Sequence, residues 1–295
     1  MELKYKDFKF TKILGWSSSR YELFSKCKRQ YYYNYYGRFS KEIPNYKIAQ
    51  LKSLTSIPLE IGNIVHDIIE VLLYRLQKDD SSIDKEKFKL YAHKKTEEYV
   101  NNKSFFEVYY GNIEDINTEH IYKKVEARLN LFLDSPIFQW IFMNAMLNKT
   151  NWMIEPGGYG ETRINGLKAY CKMDFLFPIE QDVHILDWKT GKRDEYKHRK
   201  QLIAYAAAAN SNFNIPWEKI FPKIIYINDE YSEFEFKITK EMLDNFFISV
   251  KNESEEMKTY CTVSENNIPK SIDNFPKTTT DTICRFCNYR ELCKK

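Results

Sequence analysis

In the run ILDWKTGK, Asp187 and Lys189 stand two residues apart. Strand alternation sends both side chains to one face and Trp188 to the other, where an indole can pack in a core. Earlier, LKAYCKMDFLF reads as one strand. Leu167, Ala169, Cys171, Met173, Phe175 and Phe177 share its apolar face, and Lys168, Tyr170, Lys172 and Asp174 its polar face. A short turn joins the two strands, so Asp174 is expected to approach Asp187. Converging carboxylates repel and must be neutralised by a proton, a cation or a metal. Mg²⁺ and Mn²⁺ prefer oxygen donors, and a nearby lysine can then orient or deprotonate an attacking water. That apparatus suits phosphodiester hydrolysis. Asp-x-Lys is also the pattern of an ordinary surface ion pair, so the inference rests on the whole constellation.

A second group of chemistry-bearing residues closes the chain. TICRFCNYRELCKK places Cys284, Cys287 and Cys293 together. Three thiols do not complete a typical metal site, and Cys27, Cys171 and Cys261 remain as partners. Cys171 alternates onto the apolar strand face, where a cysteine behaves as a small hydrophobe. Four thiolates suit zinc or an iron–sulfur cluster. Structural zinc sites usually pair two Cys-x-x-Cys knuckles, and only one is present here, so spacing leaves both open.

The elements that must position these groups can be read from period and punctuation. Ser17-Ser18-Ser19 supplies an N-cap for a helix running to Gly37, with Cys27 inside it. Residues 40–60 are polar and interrupted by Pro44 and Pro58, which predicts a loop. Ile64, Val65, Ile68, Ile69, Leu72, Leu73 and Leu76 form one stripe of a helix, with His66 at its margin. Residues 80–150 predict two or three further helices. After Pro156-Gly157-Gly158 the period drops to two. ETRI and LKAYCKMDFLF flank Asn165-Gly166, a strong hairpin signal. VHILDWKTGK gives another strand, KHRKQLIAYAAAAN a helix, and KIIYIN and EFEFKI two more strands. A last helix over about 239–259 leads into the cysteine tail. The predicted fold class is α/β, with a helical insertion at 80–150.

The totals narrow the class. The chain has 295 residues and a net charge of +4, enough for a large core and no strong argument for a polyanionic partner. Its opening segment is charged, with no apolar run suited to a signal or a membrane span, so an intracellular, cytoplasmic protein is expected. In such a compartment six cysteines suggest ligands or core residues before disulfides. RQYYYNYYGR mixes tyrosines and cations, as a buried helix or a base-stacking surface would. No G-x-x-x-x-G-K-[ST] phosphate loop is present, so any unwinding must come from a partner.

The order GNIVH, KMD, DWKTG, QLIAY, bracketed by one early and three terminal cysteines, resembles the RecB-like iron–sulfur branch of the PD-(D/E)XK nucleases. That branch includes the AddB nuclease domain, exonuclease V and CRISPR-adaptation nucleases. The resemblance runs from about Ser17 to Cys293, with 80–150 outside it. It implies a restriction-endonuclease-like mixed sheet flanked by helices, in a single nuclease domain over 1–295. His66, Asp174 and Asp187 would be metal ligands for Mg²⁺ or Mn²⁺ and Lys189 the catalytic lysine. Gln201 and Tyr205 would support the site and contact nucleic acid. The family's glutamate before the hairpin would be Glu155, or else Glu161. Cys27, Cys284, Cys287 and Cys293 would hold a [4Fe-4S] cluster joining the N- and C-terminal regions. The family usually shows GRID where this chain has CKMD, so Cys171 and Lys172 replace glycine and arginine. The implied activity is a metal-dependent DNA nuclease, an exonuclease on single strands or ends in repair or recombination, with a helicase or recombination partner. The alternatives are a non-catalytic DNA-binding subunit of a helicase complex, or a CRISPR-adaptation nuclease.

Overall fold

In a computed structural model, residues 3–293 are described, apart from 5, 7, 80 and 156–161. The expected glutamate at Glu161 and the glycine pair at 157–158 lie outside the described residues. The chain divides into two compact units.

The first comprises Met1–Asp7, Thr55–Gly160 and Cys171–Leu243. The second comprises Phe8–Leu54, Glu161–Tyr170 and Asp244–Lys295. From the N-terminus, the helices are α1 (Ser18–Lys26), α2 (Lys28–Tyr36), α3 (Asn45–Ser53), α4 (Ile57–Lys78), α5 (Lys85–Asn102), α6 (Phe106–Tyr109), α7 (Thr118–Leu133) and α8 (Pro136–Trp140). There follow β1 (Met153–Ile154), β2 (Thr162–Ile164), β3 (Leu167–Ala169), β4 (Phe175–Ile179), β5 (Asp182–Lys189), α9 (Glu195–Phe213), β6 (Ile220–Ile227) and β7 (Tyr231–Glu235). Last come α10 (Lys240–Lys258), β8 (Cys261–Val263), β9 (Ile268–Pro269) and α11 (Asp281–Arg285).

The first unit is built on a five-stranded sheet in the order β1-β4-β5-β6-β7. Only β5 and β6 pair in parallel, and α9 is the crossover that a parallel pair requires. The sheet is therefore mixed, as expected. The stripe from Ile64 to Leu76 packs in one core with Val125, Leu129 and Phe132 of α7 and with Phe175, Phe177, Leu186 and Trp188 of the sheet. Trp188 meets Phe132 edge-on at 5.0 Å, so the indole side of β5 is sealed by helix. Asp187 and Lys189 leave from the other face, toward α9.

Three expectations are corrected. Residues 40–60 are not a loop, because α3 occupies most of that stretch. Pro44 is its N-cap residue and Pro58 lies in the first turn of α4. A proline costs little at a helix start, where its missing N–H would have no partner. The helix from Ser17 to Gly37 is broken at Cys27, whose extended backbone ends α1 and caps α2. The tract 167–177 is not one strand. β3 pairs with β2 and bridges to Trp16, residues 170–174 run irregularly, and β4 starts at Phe175 in the larger sheet. Alternation persisted through the break because it reports local pattern, while strand length is set by where partners are found.

In the second unit, Asn165 and Gly166 take φ of 47° and 78°, the left-handed pair that a tight hairpin needs. Tyr31, Tyr32, Tyr33 and Tyr36 of α2 are buried, so the tyrosine-rich run is chiefly core. Buried Arg20 bonds the hydroxyls of Tyr31 and Tyr36 and the Gly15 carbonyl, which satisfies its guanidinium.

Candidate active site

Four of the residues expected to do chemistry meet at the end of β5. Asp174 occupies the bend just before β4, and its Oδ2 accepts the Trp188 N–H at 2.9 Å. The antiparallel register pairs Phe175 with Leu186, so the next positions outward are Asp174 and Asp187. The apolar stripe of α4 faces the core, and His66 at its margin reaches Asp174, with Nδ1 3.2 Å from Oδ2. Asp187 is 2% exposed. Its Oδ1 accepts the Tyr205 hydroxyl and, at 3.3 Å, Gln201 Nε2. Gln201 Nε2 also donates to the Tyr205 oxygen at 2.5 Å. These two residues share a face of α9, one turn apart. Asp187 Oδ2 ion-pairs with Lys189 Nζ but makes no hydrogen bond of ordinary geometry.

The electrostatics follow from burial and closeness. Burial and the neighbouring Asp174 carboxylate push Asp187 above its usual value, against the pull of Lys189 and Tyr205. Burial would raise Asp174 too, but His66, Lys189 and the Trp188 N–H hold it low. Burial opposes the charge on His66 and Lys189, yet the carboxylates raise both. Two acids thus face one imidazole and one ammonium, and the repulsion between them falls on Asp187. Gly62 of α4 lies so close to the loop after β5 that a Cβ there would sit 3.0 Å from Thr190 Oγ1.

Glu155 has a left-handed φ of 48°, and its N–H donates to the Asp174 carbonyl at 2.9 Å. Its carboxylate turns to Lys172 at 2.8 Å rather than to Asp187. Asp67 and Glu70 lie in the same acidic field, each raised by burial and then by Glu155. The sequence reading missed both, although they follow His66 on the same helix.

A family model for the PD-(D/E)XK nuclease superfamily matches residues 15–294. The chain belongs to the PD-(D/E)XK nuclease superfamily. Its members are generally nucleases and typically use Mg²⁺ or Mn²⁺. A solved crystal structure of SSO0001 is similar over 64% of this chain and 78% of its own, at 15% identity and a TM-score of 0.29. No curated protein matches.

Among the described residues of this PD-(D/E)XK chain, no three His, Cys, Asp or Glu side chains converge closely enough to hold a metal ion as placed. The donor chemistry nonetheless fits a hard divalent cation. Two carboxylates repel in a buried place, and one oxygen has only an ammonium before it.

The cysteines divide clearly. Cys27, Cys284, Cys287 and Cys293 line one cavity in the second unit, with Tyr33, Ile283 and Tyr289 around them. Burial and the other three thiols push Cys287 up to about 12. Burial raises Cys293 as well, with Cys27 and Cys284 adding to it. Cys261 lies instead beside the Tyr36 hydroxyl, at 3.8 Å, and Cys171 belongs to the first unit. The cavity thus carries four soft donors on its lining, of the kind an iron–sulfur cluster takes, although as placed they do not converge closely enough to hold a metal ion. No described helix is long and apolar enough to cross a membrane.

Proposed function

We propose that this chain is a deoxyribonuclease that hydrolyses single strands or duplex ends with Mg²⁺ or Mn²⁺, and that it serves repair or recombination. The observation that carries the reading is the buried repulsion between Asp174 and Asp187, balanced by His66 and Lys189. His66, Asp174 and Asp187 would hold the cation. When bound, it supplies Lewis-acid polarisation of the scissile phosphate. Lys189 orients the attacking water and supports charge that develops on the phosphate. Gln201 and Tyr205 hold Asp187 Oδ1, which leaves Oδ2 directed at the reacting side. Glu155, engaged by Lys172, has a supporting part at the rim.

In the second unit, Cys27, Cys284, Cys287 and Cys293 would hold a [4Fe-4S] cluster whose part is structural. It would tie residues near the N-terminus to the tail, and closing so long a loop is worth several kcal/mol on chain-entropy grounds.

The test is digestion of end-labelled single strands in Mn²⁺ by anaerobically purified protein. Wild type cleaves, and EDTA stops it. Asp187→Asn and Lys189→Ala keep the wild-type circular dichroism and lose activity by about 10²–10³-fold, the scale of removing a preorganised charge. Cleavage at the wild-type rate by either variant ends the assignment. An absorption spectrum with iron and sulfide assays decides the cluster separately.

A further inference from the structure

Behind Lys189 lies a hydrogen-bonded pair that the proposed chemistry has not used. Tyr226 of β6 is the register partner of Lys189 across the parallel strands. In-register residues of paired strands project to the same face, so the phenol and the ammonium stem leave the sheet side by side. Tyr226 is 2% exposed, and its hydroxyl lies 2.6 Å from His198 Nδ1 on α9. His198 is itself 6% exposed. The Arg193 guanidinium stands 5.4 Å from the centre of the Tyr226 ring, which closes the outer side. The pair therefore bridges β6 and α9 beside Lys189, near enough for charge effects between the lysine and both rings. Burial, and next the Lys189 charge, keep His198 neutral, so the wall it builds does not repel the ammonium.

We propose that His198 and Tyr226 are positioning residues for Lys189, holding its ammonium against Asp187 and toward the scissile phosphate; this rests on the nuclease reading above. Neither touches substrate. Without the pair the lysine stem gains room on the β6 side, and a shift of about 1 Å in a reacting group is enough to slow chemistry by up to about a hundredfold. The ground-state affinity for nucleic acid has no reason to change.

The experiment compares His198→Leu, His198→Asn and Tyr226→Phe in full-length protein. Asn places a polar atom where Nδ1 stands, so it keeps the bond to Tyr226. His198→Leu and Tyr226→Phe lower kcat about tenfold with KM unchanged, and His198→Asn recovers most of the loss. The double variant carrying both His198→Leu and Tyr226→Phe falls no further than Tyr226→Phe alone, because that variant already lacks the bond to His198. A second readout needs no activity: the ¹³Cε resonance of Lys189, assigned by its disappearance in Lys189→Arg, shifts in His198→Leu and returns in His198→Asn. If wild type fails to cleave DNA, the nuclease reading falls while the resonance still judges the pair. An unmoved resonance, or equal losses in the Leu and Asn variants, overturns the positioning role.

Discussion

At the scale of single residues, the site is a problem in charge placement. Asp174 and Asp187 are chemically alike and differ in environment. One is tied to an imidazole and a backbone N–H, and the other takes the repulsion. His198 shows the reverse use of burial, since its pKa falls from the ordinary 6.5 to about 4. Unfolding restores the higher value, so between pH 6.5 and about 4 the unfolded chain binds a proton that the folded chain refuses. Its contribution to stability is thus intact above pH 6.5 and is lost as the pH falls toward 4. His198→Asn removes that proton, and its melting temperature should decline less steeply than wild type across this window. Parallel slopes by differential scanning fluorimetry would show that His198 is not the group responsible.

At the scale of elements, Cys27 has a capping duty and a proposed ligand duty that one substitution can separate. Its extended backbone divides α1 from α2, and its Sγ accepts the Gln30 N–H at 3.4 Å as the cap of α2. Serine caps a helix well and alanine does not, a difference of about 1 kcal/mol. Cys27→Ser and Cys27→Ala should therefore lose iron alike, while the iron-free serine variant unfolds at higher denaturant than the alanine one. Full iron in Cys27→Ser would remove Cys27 from the ligand set. Much of this level was legible beforehand. The stripe over 64–76, the Asn165-Gly166 turn and the Asp187/Trp188 alternation are local signals, and each reappears in the fold. The break at Cys27 was not legible, because a thiol cap inside a continuous helical pattern carries no cue of its own. Nor was the division of 167–177, which depends on β2 and β5 offering different partners to its two halves. Asp67 and Glu70 went unnoticed because acids on an exposed helix face usually mean only solvation. It is Glu155, distant in sequence, that makes them a group.

For the whole molecule, the two proposed sites fall in different units, the carboxylates and lysine in one and the four cysteines in the other. Loss of iron should therefore be felt unevenly. Hydrogen exchange on protein stripped of iron is expected to accelerate first within residues 8–54, 162–170 and 244–293, with 55–155 and 171–243 holding longer. Simultaneous loss of protection in both would make the cluster a support for the entire chain. The division also has a temporal side. Every described part of the carboxylate unit has been synthesised by Leu243, whereas the thiol cavity waits for Cys293. On the ribosome the carboxylate unit can therefore fold while Cys27 still lacks the three later thiols of the proposed cluster site, so assembly of that cluster would follow folding of the proposed hydrolytic unit.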